Sequence, residues 1–90
     1  MSFNDTFKAL SDPTRRTILD MLKERDMTAG EIADHFEMTK PAISHHLNLL
    51  KQAELVVNEK KGQHIHYSIN LTMFEELMTW MLKFNSNEGA

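Results

Sequence analysis

The sequence predicts a mainly α fold with one small β-hairpin, a winged helix-turn-helix that dimerises through its terminal helices. Three observations predict it. Two helix starts with complete capping signals, at Thr28 and Thr39, follow one another across a very short connection. A strictly alternating strand, His64 to Ile69, comes soon after the second of those helices. The last helix carries more large apolar side chains than one small domain can bury.

Each element has a local reason. Phe3, Phe7 and Leu10 stand four and three residues apart, one stripe of a first helix over Phe3–Leu10. Ser11-Asp12-Pro13 breaks it. Asp12 can cap, and Pro13 fits the first position of a second helix, where its missing N–H costs nothing. That helix turns Ile18, Leu19 and Leu22 inward and stops near Arg25-Asp26. Thr28 and Glu31 form a T-x-x-E capping box, with Met27 and Ile32 as its hydrophobic staple, opening a short helix that ends at about Phe36. Met38, Thr39 and Ile43 repeat that spacing. Pro41 sits in the first turn of the resulting helix, which runs from Lys40 to Gln52. Leu55-Val56-Val57 reads as a strand and Glu59–Gln63, with Gly62, as a turn. The strand that follows places Ile65, Tyr67 and Ile69 on one face and His64, His66 and Ser68 on the other. Thr72 and Glu75 suggest another capping box, for a helix from Met73 to about Phe84. Asn85–Ala90, without a large apolar residue, reads as a frayed tail. The whole, 1–90, is read as one domain: helix-turn-helix over 28–53, wing over 55–69, dimerisation helices over 3–10 and 73–84.

Composition removes several function classes. Ninety residues suffice for one domain with a thin core. There is no cysteine, so disulfides, thiolate metal sites and cysteine nucleophiles are out. No apolar run approaches bilayer length, and Met1–Leu10 lacks the basic start and apolar centre of a signal peptide. A cytoplasmic protein is expected. No glycine-rich phosphate loop and no nucleophile elbow occurs, so neither an enzyme nor a cofactor is expected. The net charge is −3, but 38–66 is positive: Lys40, Lys51, Lys60 and Lys61 oppose Glu54 and Glu59, and four of the five histidines lie there. Local field matters more than net charge for docking on phosphates.

The Lys40–Gln52 helix carries the chemistry. Ile43, Leu47 and Leu50 share a face, with Ala53 at its margin. Ser44, His45, Asn48 and Gln52 point away from it, and Lys40 and Lys51 flank them. Any surface helix is polar outward, but such a helix ordinarily mixes Glu with Lys. From Thr39 to Ala53 there is no acidic residue. Short hydrogen-bonding side chains suit the base edges of a major groove. His46, nearer the apolar stripe, is expected to pack at the helix edge and hydrogen-bond to the backbone. Lys60-Lys61-Gly62-Gln63 fits a backbone or minor-groove contact at a wing tip. His64 and His66 share a strand face and could begin a zinc site, but no further ligand is evident, so they read as outward polar residues. The apolar surplus of the last helix, with Phe3 and Phe7, predicts a subunit interface formed by Phe3, Phe7, Phe74, Leu77, Met78 and Met81. Two other readings compete: a metal sensor using His64, His66 or His35 with carboxylates, and a winged helix used only to bind protein.

Phe7–Arg16 (F-K-A-L-S-D-P-T-R-R), Ile18-Leu19, Ser44–Leu50 (S-H-H-L-N-L-L) and Lys61-Gly62-Gln63 before the alternating strand resemble the ArsR-type winged-helix repressors, over essentially the whole chain. The resemblance implies a homodimer on an inverted-repeat operator in double-stranded DNA, blocking transcription, with Lys40, Pro41, Ser44 and His45 at the major groove. Thr39, Asn48 and Lys51 on the same helix, and Lys60, Lys61 and Gln63 on the wing, complete the expected DNA-binding set. Metal-sensing members carry a cysteine pair on the third helix, or Asp/His and His/Glu ligands on the last. Here Glu31–Phe36 has no cysteine, and the last helix has Glu75 and Glu76 but no histidine, so no metal is expected. Within the family, the chain resembles autorepressors of toxin-immunity operons. That likeness implies autoregulation and control by a membrane-bound immunity protein that sequesters the repressor, with no small-molecule ligand.

Overall fold

The computed structural model describes residues 3–85. The elements run α1 (Asn4–Leu10), α2 (Pro13–Glu24), β1 (Met27–Thr28), α3 (Ala29–Phe36), α4 (Lys40–Gln52), β2 (Val56–Lys61), β3 (His64–Ile69) and α5 (Leu71–Leu82). It is a mostly helical winged helix-turn-helix with a three-stranded antiparallel sheet. Of the frayed tail expected at 85–90, only Asn85 lies within the described residues.

The helix starts follow their local signals. The Asp12 carboxylate accepts from the Arg15 amide at 3.1 Å, with Pro13 at the first position of α2. The Arg15 amide bond is the main cause holding the Asp12 carboxyl below its ordinary range. At α3 the capping box is reciprocal: Glu31 N–H donates to Thr28 Oγ1 at 3.2 Å, and Thr28 N–H to Glu31 Oε1 at 2.9 Å. Thr39 Oγ1 accepts from the Ala42 amide at 3.2 Å to open α4. Both helices of the pair close on a non-glycine residue in the left-handed region, Glu37 (φ 56°) after α3 and Glu54 (φ 61°) after α4. The amides just beyond them reach back to Ala33 O and Leu50 O, at 3.3 and 3.0 Å.

The capping box gives a direct stability test. The Thr28 amide is the largest cause lowering the Glu31 carboxyl below its ordinary value. A depressed carboxylate stabilises the fold above its unfolded value and loses that contribution as pH falls through the carboxylate range. Thr28→Ala is expected to cost about 1 kcal/mol of unfolding free energy near neutral pH. That loss should persist in acid, because alanine keeps the backbone amide that serves Glu31, whereas the loss in Glu31→Ala, read by the same urea unfolding, should shrink as pH falls through the carboxylate range.

Ile18, Ile32, Ile43, Leu47, Leu50 and Leu55 form the fully buried centre, so the inward faces of α2, α3 and α4 fall where the helical period puts them. In the first helix the period is displaced. Thr6 and Ala9 are the buried positions of α1, whereas Phe7 is exposed and turned toward Trp80.

The sheet departs from expectation in three ways. Met27-Thr28 is itself a strand, pairing with Tyr67 and His66, which makes β3 central in the order β1-β3-β2. The turn is only Gly62-Gln63, so Glu59, Lys60 and Lys61 belong to β2 and pair with His66, Ile65 and His64. Gly62, at φ 64°, supplies the positive φ that the first loop residue of a type II′ turn needs. Leu55 is buried but precedes the strand. The last helix also starts early. Its N-cap is Asn70, so the Thr72–Glu75 box does not form. The Asn70 amide nitrogen instead donates to Glu54 O at 2.8 Å, tying the start of α5 to the end of α4. The helix stops at Leu82, short of Phe84.

Candidate nucleic-acid interface

The α4 helix is held by Ile43, Leu47, Leu50 and Ala53, all buried. Lys40, Pro41, His45, Asn48 and Lys51 are exposed, as is the capping Thr39, and Ser44 is half-buried. Lys40 and Ser44 line an open cleft of about 450 Å³ whose other walls are Thr28–Gly30 at the start of α3 and Gln63, His64, Ile65 and Tyr67 of the wing. The cleft brings the start of α4 and the wing tip together. Gly30 helps shape it, since a Cβ there would lie 3.2 Å from Lys40 Cε.

The corrected turn changes how the wing presents its charges. Neighbouring strand residues point to opposite faces. Lys61 shares a face with its cross-strand partner His64, and Glu59 with His66. Lys60 lies on the other face with Ile65 and Tyr67. The two lysines therefore flank the tip from either side, with Gln63 exposed at its end. His66 has a carboxylate, Glu59, directly across the ladder. Among the described residues no three His, Asp or Glu side chains are grouped to hold a metal ion.

His46 is at the helix edge as expected, but its recorded partner is a side chain and not the backbone. Arg15 Nη1 donates to His46 Nδ1 at 3.2 Å, and Asp12 Oδ2 lies 4.0 Å from the same nitrogen. Arg15 is only 9% exposed. It also closes the end of α1, donating from Nε to Ala9 O at 2.8 Å and from Nη2 to Lys8 O at 3.2 Å, while Arg16 reaches Leu10 O at 2.7 Å. Carbonyls at a helix C-terminus lack intrahelical donors, and a guanidinium meets that need with a favourable charge. Sequence reasoning missed this residue. The available signal was an arginine on the same stripe as Ile18, Leu19 and Leu22, where a surface charge does not belong.

The terminal helices meet in an aromatic cluster. Phe3, Phe7 and Trp80 have ring centroids 5.6–6.2 Å apart, and Phe84 stacks edge-on to Trp80 at 5.0 Å. Of the residues expected at a subunit interface, Leu77 is buried within the chain, and Phe3 and Phe74 are half-buried against the core. Phe7, Met78 and Met81 are exposed, and Leu71, Trp80, Leu82 and Phe84 join them. No helix among the described residues is long and apolar enough to cross a membrane.

Residues 12–57, from the cap of α2 into β2, match the bacterial regulatory protein, arsR family. The chain belongs to the arsR family. Its relatives are transcriptional regulators. The transcriptional repressor SdpR of Bacillus subtilis is 60% identical over 81 residues, covering 90% of each chain. The crystal structure of the ArsR family transcriptional regulator RHA00566 superposes with a TM-score of 0.86 at 28% identity, over 97% of this chain and 96% of that one. The same fold appears in the homodimeric winged helix-turn-helix DNA-binding domain of Mb0332 from Mycobacterium bovis, with a TM-score of 0.74 at 24% identity over 92% and 78% of the two chains. This arsR-family chain is accordingly a DNA-binding transcriptional repressor.

Proposed function

We propose that the chain represses transcription as a homodimer on an inverted-repeat operator, with α4 of each subunit in a major groove and the wing against the adjoining backbone. One observation carries this reading: the exposed face of α4 holds Lys40, Pro41, His45, Asn48 and Lys51 with no carboxylate, and its first turns, through Lys40 and Ser44, share one cleft with the wing. In this reading Ser44, His45 and Asn48 read base edges. Thr39, Lys40 and Lys51 hold phosphates, and Lys60, Lys61 and Gln63 at the tip reach opposite walls of a minor groove. The dimer forms through α1 and α5. Likeness to a repressor, SdpR, supports repression itself; autoregulation, a cytoplasmic location, and release from DNA by a membrane-bound immunity protein rather than by metal extend the reading through the resemblance to toxin-immunity autorepressors. The lack of cysteine and of histidine on α5 supports the last point.

Selection of duplexes from random sequence, followed by footprinting on the genome, tests the reading. The expected product is an inverted repeat with half-sites about one helical turn, ~10 bp, apart, present beside the chain's own gene. Zinc, nickel or cobalt should not release it, and membranes bearing the immunity protein should. Lys61→Ala should weaken all duplexes about equally and reduce the slope of log affinity against log salt by roughly 1. Failure to retain any duplex even at low salt would leave only a protein-binding role for the winged helix.

A further inference from the structure

Arg15 joins two helices that the proposed function uses for different purposes. The residue is nine-tenths buried, and its guanidinium divides its donors between the end of α1 and the back of α4: Nε to Ala9 O, Nη2 to Lys8 O, Nη1 to His46 Nδ1. A guanidinium has only donors, so Nδ1 must accept and the ring must be neutral, with its proton on Nε2. We propose that Arg15 and His46 are positioning residues for DNA binding, a neutral His46 pinning the back of the recognition helix to the guanidinium that closes α1. This rests on the DNA-binding reading of α4.

The geometry gives the device a sign. Protonation at Nδ1 turns the acceptor into a donor and sets two cations 3.2 Å apart. The imidazolium then has a competing partner in Asp12 Oδ2, 4.0 Å away on the α1–α2 turn. The exchange of Arg15 for Asp12 moves the back edge of α4, so acid should weaken reading. The other titratable groups near this cluster are His45, whose ring centroid is 6.0 Å from that of His46 on α4, and Asp5 and Lys8 of α1, which with Leu49 and Gln52 line a cavity of about 40 Å³ beside Arg15. Protonating His45 adds a positive charge on the DNA side and should strengthen binding, the opposite sign.

The test is the affinity of wild type, His46→Asn and His46→Ala for a duplex selected by the wild type, by fluorescence anisotropy from about pH 8 to about pH 5.5. The oxygen of asparagine falls near the place of Nδ1 and accepts without titrating. Wild type should lose roughly tenfold relative to His46→Asn over that range, the scale of one hydrogen bond to a charged group. At the upper pH His46→Asn should bind close to wild type and His46→Ala several-fold more weakly. If His46→Ala does not fold, the pH dependence of the wild-type to His46→Asn ratio decides alone. Parallel profiles for those two proteins would overturn the proposal while leaving DNA binding intact. Failure of the wild type to enrich any duplex removes both.

Discussion

His45→Ala is expected to weaken binding to the preferred duplex by about 1–3 kcal/mol and to relax preference at one or two base pairs. The side chain is exposed near the middle of α4, and the core contacts of that helix come from Ile43, Leu47 and Leu50 on another face. The substitution should therefore leave the melting temperature near that of wild type. Affinity for the selected duplex and each of its single-base variants provides the check. Base reading predicts a loss concentrated in the preferred sequence, so that variants at one position become equivalent. Unchanged affinity and unchanged preference would remove His45 from the reading set and shift the assignment toward Ser44 and Asn48.

The second large effect is expected at α5. Met81→Glu, and separately Met78→Glu, should give a monomer whose affinity for the full inverted repeat falls at least about a hundredfold, the scale of lost bivalency. Both residues are about half exposed in the single chain, at 51% and 57%, so a carboxylate there need not disturb the fold. In a two-fold interface the same change enters twice, and each carboxylate must be desolvated without a partner. Sedimentation gives the subunit state. Trp80, the single tryptophan, provides a second signal because it is 37% exposed in the chain and clustered with Phe7 and Phe84. Its emission should shift to the red on dilution of wild type and be red-shifted at all concentrations in Met81→Glu. A dimeric Met81→Glu protein that still binds the full repeat would place the subunit contact elsewhere.

What the sequence disclosed was what is encoded locally. Asp12-Pro13, Thr28 with Glu31, and Thr39 each name a helix start because the cap and the amide it serves are three residues apart or fewer. The apolar faces of α2, α3 and α4 were legible because the period of 3.6 is a property of the segment itself. The features that escaped depend on distant partners. Thr72 and Glu75 have the spacing of a box, but Asn70 spends its side chain on Glu54 O, sixteen residues away, and the helix begins there. Glu59, Lys60 and Lys61 look like turn residues because this end of the hairpin faces solvent, yet pairing with β3 keeps them extended. Misplacing that turn also concealed that Lys60 and Lys61 point to opposite faces. For α4 the outward set was legible from the helical period, with Ser44 alone of that set half-buried. The partner of His46 was not, since an arginine on a buried stripe has no meaning until the chain that surrounds it is known.

Met27 and Thr28 serve two structures at once. They are the edge strand beside β3 and, through the Thr28 hydroxyl, the cap of α3. The hairpin is thus fastened to the first helix of the pair by the residues that start that helix. Residues 56–69 are therefore not a portable part. A chimaera that receives the wing of another regulator inherits a mismatched seam at Tyr67 and His66 unless residues 27–28 travel with it, and a drift in hairpin sequence is constrained by a helix cap almost forty positions upstream.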